Sequence, residues 1–275
     1  MVVDTPAEAV RKAVFKLGYY SAVSRSGYPV GRVALFDLFG VLMGRTRVYR
    51  EVYWKPRPHI MGIARDVARK KYGISFSENS HVEEVIIEGI YSVYREFIPS
   101  EGEVVADVGA EFGDYALLCR KFYGAEVHTF EPLAHNIREI RRNMAMNRVT
   151  RGFTLHPVAL GGSNTTVTMP YHGTMVDAFS KDKRQRTKMR TLDSYGLKPD
   201  IIKIDVEGFE MEVFKGAKDT IRKYHPRIIL EVHSSRLKIE CLSFLSQYGY
   251  VVRHSGKGIY IDKGKNLVQN FFLSA

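Results

Sequence analysis

Two stretches of the chain carry the residue types that chemistry needs. They are Lys203-Ile204-Asp205-Val206-Glu207-Gly208 and Glu231-Val232-His233. Each follows an apolar run of strand character, so each set of polar groups falls where a buried strand gives out. If the first strand continues by one pleat, Asp205 and Glu207 both point into the space beyond it. Two carboxylates close together raise the pKa of one, which suits a general base. The same pair could instead hold a divalent ion or a ligand's ammonium group. Glu207 and Glu210 could also be no more than charge at a helix N-terminus. A spacing of two puts Glu231 and His233 on one face, where His233 could deprotonate a substrate hydroxyl or simply cap its strand. The candidate catalytic residues are therefore Asp205, Glu207 and His233. Asp205, Glu231 and His233 could together hold a divalent ion, since carboxylate and imidazole suit several metals, but the expected site includes no metal.

A third stretch, Asp107-Val108-Gly109-Ala110-Glu111-Phe112-Gly113, has the form of a tight turn after a strand. Gly109 and Gly113 allow the backbone to turn and to approach a ligand closely. The dinucleotide pattern G-x-G-x-x-G is absent, because Glu111 and Asp114 stand where glycines are expected. A carboxylate at the apex repels a pyrophosphate and tolerates a cationic ligand. That tips the choice from NAD to S-adenosylmethionine, with its sulfonium and ammonium groups. The next strand ends in Phe130-Glu131-Pro132. Glu131 can accept hydroxyl protons from a ribose. The third strand offers only Val158-Ala159-Leu160, and Ala159 is expected to meet an adenine through backbone and apolar contact. Asp107, Gly109, Ala110, Glu111, Gly113, Glu131, Pro132, Ala159 and Asp205 make up the expected cofactor set.

From Glu103 onward strands and helices alternate. Strands are expected over 104–108, 126–130, 153–160, 201–205 and 228–232, with helices over 115–122, 136–146, 209–224 and 234–248. A closing antiparallel hairpin is expected from Tyr250-Val251-Val252 and Gly258-Ile259-Tyr260-Ile261. This order implies an α/β fold, a doubly wound parallel sheet with right-handed crossovers. Its ligands bind outside the carboxyl ends of the strands, where all three stretches lie. Helical periodicity over Ala7–Tyr20, Ile60–Tyr72 and His81–Phe97 divides the chain into a mainly helical extension, residues 1–80, and a Rossmann-like domain, residues 81–275.

The ordered set Asp107-Val108-Gly109-Ala110 with Gly113, Phe130-Glu131-Pro132, Thr191-Leu192-Asp193, Lys203-Ile204-Asp205-Val206-Glu207-Gly208 and Phe214-Lys215-Gly216-Ala217 resembles the FkbM family of S-adenosylmethionine-dependent methyltransferases. The likeness runs from about Glu84 to His233. It implies a class I methyltransferase fold, seven strands with the last antiparallel and helices on both faces. It also implies an oxygen acceptor on a sugar, polyketide or other small natural product. Carried over, Asp107, Gly109 and Gly113 shape the methionine end, Glu131 takes the ribose, and Asp205 and Glu207 line the reaction site. Glu111 departs from the family, where a neutral polar residue is usual.

Composition narrows the setting. The chain has 275 residues, 45% hydrophobic and 26% charged, with a net charge of +11, which excludes a disordered or fibrous protein. Two cysteines, Cys119 and Cys241, exclude a disulfide scaffold and lack the spacing of a thiolate zinc site. Val33–Met43 is the most apolar stretch. It is far shorter than the roughly 20 residues a membrane span needs, and the first ten residues lack a signal-peptide core. The expectation is a soluble cytoplasmic protein of undetermined oligomeric state. Lys181–Arg190 carries six basic residues and one acid, and is expected to be a solvated loop and edge strand or a phosphate-binding segment. The aromatic residues Tyr19, Tyr20, Tyr28, Tyr49, Tyr53 and Trp54 are expected to pack over the sheet. Three readings follow: O-methylation of a carbohydrate or small metabolite, methylation of RNA through the basic run, and a non-catalytic module that binds an adenosyl ligand.

Overall fold

A computed structural model describes residues 57–80, 82–170, 184–256, 261–262, 266–267 and 269–275. The expected helix over Ala7–Tyr20 and the aromatic residues between Tyr19 and Trp54 lie outside them.

The strands are β1 (Val104–Val108), β2 (Glu126–Phe130), β3 (Phe153–His156), β4 (Ala159–Leu160), β5 (Thr165–Pro170), β6 (Arg184–Arg190), β7 (Ile201–Ile204), β8 (Arg227–Val232), β9 (Val251–Ser255), β10 (Ile261–Asp262), β11 (Asn266–Leu267) and β12 (Gln269–Ser274). The α-helices are α1 (Arg57–Val67), α2 (Asp114–Lys121), α3 (Ala134–Met146), α4 (Glu210–Lys215), α5 (Lys218–Tyr224) and α6 (Ser235–Ser246). Seven strands form one sheet in the order β3-β2-β1-β7-β8-β12-β9. The five from β3 to β8 run parallel, and β12 is antiparallel to both neighbours.

Alternation along the buried strands divides the core into two layers. Val105, Val127, Ile201 and Ile229 face Tyr115–Cys119 of α2 and Ile140 of α3. Ala106, Val108, Ile202, Ile204, Ile228 and Leu230 face Val213, Phe214, Ile221, Cys241 and Leu245 on α4, α5 and α6. The sheet is thus covered on both sides. Ala64, Ala68, Ile74 and Phe76 belong to the same cluster as α2. Asn143, in the last turn of α3, and Asn147, which caps its C-terminus, hold that earlier segment. Asn143 Oδ1 accepts from Ser77 N at 2.8 Å, and Asn147 accepts from Ser75 N at 2.9 Å and donates to Ser75 O at 2.6 Å. The Asn143 amide also donates to Phe112 O at 3.0 Å, in the turn after β1.

Five expectations need correction. The helix over His81–Phe97 shrinks to a π-turn, Glu84–Glu88, and a 3-10 turn, Arg95–Phe97, because Gly89 closes the first at φ 60°. The segment between them brings Tyr91 and Tyr94 inward. The third strand breaks after His156: Val158 N bonds back to His156 O, and Ala159–Leu160 joins a separate three-stranded sheet, β4-β6-β5. The basic segment is therefore no edge strand over 184–190, since β6 lies between β4 and β5. The partner of β9 is β12, with Phe271 opposite Ser255. Gln269–Ser274 closes the sheet where Gly258–Ile261 was expected, and 257–260 lie outside the described residues. The helix over 209–224 is two helices parted at Gly216.

Candidate active site

The chain leaves β1, β2 and β3 in one direction along the sheet and returns to β7 beside β1. That reversal opens a crevice at the carboxyl ends of β1 and β7. Gly109 makes it possible. Its φ is +78°, and a Cβ there would stand 1.7 Å from the carbonyl oxygen of Asp205. The turn continues through Glu111, also at positive φ, to Gly113, whose N–H bonds Ala110 O at 2.7 Å before α2 begins.

Lys203 lies at the bottom of the crevice. It interrupts the apolar run Ile201–Ile204 and is buried. Its Nζ donates to Gly109 O at 2.7 Å and stands 3.6 Å from both Asp107 Oδ1 and Asp205 Oδ2. Asp107 is wholly buried and neither carboxylate oxygen makes a hydrogen bond among the described residues. Burial raises the Asp107 carboxyl, and the Lys203 charge pulls against that. Burial lowers Lys203, but Asp205 and Asp107 outweigh it and hold the ammonium charged.

Glu131 ends β2 and is 4% exposed. Its Oε2 accepts from Glu111 N at 3.0 Å and its Oε1 from Leu133 N at 2.9 Å. One carboxylate thereby ties the turn after β1 to the turn after β2. Burial raises its pKa to about 7. From the second sheet, Gln185 on β6 donates to Pro132 O at 2.7 Å and accepts from Ala134 N at 3.0 Å.

At the other end of the crevice, β7 stops at Ile204, so Asp205 and Glu207 do not share a strand face. Glu207 takes φ 53° and Gly208 φ 105°, and the turn leaves the Glu207 side chain 85% exposed at the rim. Tyr91 enters from the N-terminal side. Its hydroxyl reaches Asp205 Oδ2 at 2.9 Å and Glu231 Oε2 at 3.2 Å, and its ring lies 5.0 Å from Lys203 Nζ. Burial and the charges of Asp205 and Glu231 push the tyrosine far up, which keeps it a proton donor. His233 pairs through Nδ1 with Glu210 Oε1 at 2.9 Å. Its Nε2 faces Glu207, Asp205 and Glu231. Burial alone would lower the imidazole, but the Glu210 bond and the Asp205 and Glu207 charges raise it to about 9. Burial and the Asp205 charge lift Glu231 well above the usual carboxylate range.

Of the expected residues, Gly109, Ala110, Glu111 and Asp205 line a single cleft, together with Glu84 and Asp114. Asp107 lies beneath it, Glu131 fastens its wall, Pro132 lies in the Gln185 clamp, and His233 and Glu207 stand at its far end. Ala159 is buried in the second sheet, paired with Met189. Tyr91, Lys203, Glu210 and Gln185 were not among the expected residues. Lys203 alone had a legible signal, a lysine inside an apolar strand beside an aspartate.

The sheet order and the site at its switch point define a class I methyltransferase fold. The chain belongs to the FkbM family: the family model described as a Methyltransferase FkbM domain matches residues 107–252. A curated relative, the hexuronic acid methyltransferase AglP of Haloferax volcanii, is 26% identical over 144 residues, 49% of this chain and 57% of the relative. The chain thus spans little more than half the length of that protein. Among solved structures, the FkbM methyltransferase of Methylobacillus flagellatus aligns at TM-score 0.47 and 20% identity, over 63% of this chain and 44% of that one. A precorrin-6y C5,15-methyltransferase of Geobacter metallireducens aligns at TM-score 0.46 and 15% identity, over 78% and 97%. No helix among the described residues is long and apolar enough to cross a membrane.

Proposed function

We propose that the protein is an S-adenosylmethionine-dependent methyltransferase acting on a hydroxyl oxygen of a carbohydrate or another small hydroxylated metabolite. The observation that carries this reading is the meeting of two groups of residues in one crevice, the Asp107–Gly113 turn with Glu131 and the Asp205–Glu231–His233 cluster. Family membership supports methyl transfer, and the name of the Haloferax relative supports a sugar acceptor. The cleft suits a ligand with positive charge: Glu84, Glu111, Asp114 and Asp205 line it against Lys203. Below it the buried Asp107 carboxyl faces the Lys203 ammonium at 3.6 Å. S-adenosylmethionine brings a methyl group already activated on a sulfonium. Asp107 and the turn from Gly109 to Gly113 would hold the methionine end, and Glu131 the ribose.

What is left for the protein is to align the acceptor oxygen and take its proton. An imidazole charged up to about pH 9 is no base at neutral pH, so the proton falls to the carboxylate of Asp205, with His233 and Tyr91 fixing it from either side. Glu207, at the rim, meets the acceptor. Asp205→Asn should lower turnover by about a hundredfold or more, the usual worth of a positioned base, and leave the affinity for S-adenosylhomocysteine within about threefold. Equal activity would remove Asp205 from the reaction.

The primary experiment is calorimetric titration with S-adenosylhomocysteine, with NAD as control, followed by methyl transfer to uronate-bearing glycans. Micromolar binding of the first alone, with transfer, is the expected result. Binding without transfer to any acceptor supports a binding module instead, and turnover only on RNA, falling steeply with salt, supports the basic run. Glu131 adds a pH signature. If the ribose requires its ionised form, a carboxyl near 7 makes binding weaken about tenfold between pH 8 and pH 6. Glu131→Gln should bind weakly at both pH values. A wild-type affinity flat across that range would place the ribose elsewhere.

A further inference from the structure

His233 faces its neighbours in a way that hydrogen bonding does not complete. Glu210 is fully buried and accepts from Nδ1 at 2.9 Å, so the imidazole proton belongs on Nδ1. That leaves Nε2 pointing at three carboxylate oxygens, Glu207 Oε2 at 3.4 Å, Asp205 Oδ1 at 3.6 Å and Glu231 Oε1 at 3.8 Å. A neutral Nε2 is an acceptor facing acceptors. A protonated one finds no oxygen at hydrogen-bonding length, roughly 2.7–3.2 Å. Ligands about 2.1 Å from a common ion stand roughly 3.0–3.4 Å apart, so Asp205 Oδ1 at 3.6 Å and Glu231 Oε1 at 3.8 Å would draw in towards Nε2 around one small cation. One donor atom each from Asp205, Glu231 and His233 lies within 4.8 Å of the other two.

Glu210 supplies a separate indication. Its Oε2 is buried with no hydrogen-bond partner among the described residues. Its Oε1 takes both His233 Nδ1 and Gly208 N at 2.9 Å, and a buried carboxylate directly behind an imidazole is the arrangement that orients metal-bound histidines and raises their basicity. The ligands also come from rigid places, Glu231 and His233 from the end of β8 and Asp205 from the end of the adjoining β7.

We propose that Asp205, Glu231 and His233 form a binding site for a divalent transition-metal ion, which would displace the Nε2 proton that His233 carries in the ion's absence. Three protein ligands leave coordination positions open. Those positions adjoin the cleft that Asp205 lines, so the ion would bind the acceptor's oxygen. That last role rests on the methyl-transfer reading, whereas the site itself does not.

The test titrates the full chain, without nucleoside or acceptor, with Mn2+ followed by loss of its free-ion resonance and with Co2+ followed by visible absorption. One saturable ion per chain is expected. His233→Ala and Glu231→Gln should each weaken binding at least tenfold. Glu210→Gln leaves all three ligands and should still cost about tenfold. His128→Gln, whose ring pairs with His156 3.1 Å away, should cost nothing. Only variants with wild-type circular dichroism are compared. The wild type gives an independent reading: the Nδ1 proton of a Co2+-bound His233 should appear as a hyperfine-shifted exchangeable resonance. Absence of saturable binding, or binding indifferent to both His233→Ala and Glu231→Gln, overturns the site. If Mn2+ binds and S-adenosylhomocysteine does not, the metal site stands and the methyl-transfer reading falls; the reverse result does the opposite.

Discussion

Lys203→Met should destabilise the protein by about 3–5 kcal/mol, the cost of stripping a buried charge of its partner. The lysine is buried over Asp107, which is wholly buried and makes no hydrogen bond among the described residues. Gly109 O would lose its 2.7 Å donor as well. The loss should depend on pH with a defined sign. Without the ammonium, the Asp107 carboxyl rises further above its unfolded value. The native state then holds a proton that the unfolded state has released, and stability falls as pH rises through that interval. Urea unfolding should show a larger difference from wild type at pH 8 than at pH 5. Asp107→Asn in the Lys203→Met background should recover part of it. A single variant as stable as wild type at pH 8 would mean that Asp107 is neutral in the native protein.

Gly109→Ala should cost more than about 3 kcal/mol and abolish binding of S-adenosylhomocysteine. Two penalties combine at this position. A left-handed backbone strains any L-residue, by roughly 1–3 kcal/mol, and the new Cβ would meet the carbonyl oxygen of Asp205 at 1.7 Å. Backbone on both sides leaves no flexible side chain to yield. Gly196 supplies the comparison. It has φ +62° with nothing within 4 Å of its Cβ position, so Gly196→Ala carries the strain alone, about 1 kcal/mol. Matched denaturation curves separate the two. Equal costs would mean that β1 and β7 can part without loss.

The parallel sheet and the residues at its strand ends were legible because both signals are local. Apolar runs such as 104–108 and 201–204 report burial within five residues; Asp107 lies inside the first, and Glu131, Asp205 and His233 directly follow theirs. What was not legible depends on distant partners. Tyr91 looked like one more apolar position on a helix, and only folding brings it to Asp205, 114 residues away. Asn143 fell on an expected helix and Asn147 just past its end, yet they serve as backbone partners for Ser77 and Ser75. Gln185 was lost among its basic neighbours. β12 went unread because Gln269–Ser274 carries no turn signal linking it to β9, and its other partner, β8, lies far back in the chain. Glu207 was expected on the strand face, but a left-handed residue turns the chain there, and periodicity does not report φ.

The Gln185 clamp has a thermodynamic consequence. β6 reaches out of the main sheet, pairs with β5 and β4, and returns one amide to the loop that carries Glu131. Arg186 and Lys188 project from the exposed positions of that same strand. A molecule seated on β6 that shifts Gln185 changes the free energy of the Pro132–Ala134 loop. Cooperativity of this kind runs equally in both directions. A ligand held beside Glu131 would then alter affinity at β6 by the same factor as a ligand on β6 alters affinity beside Glu131.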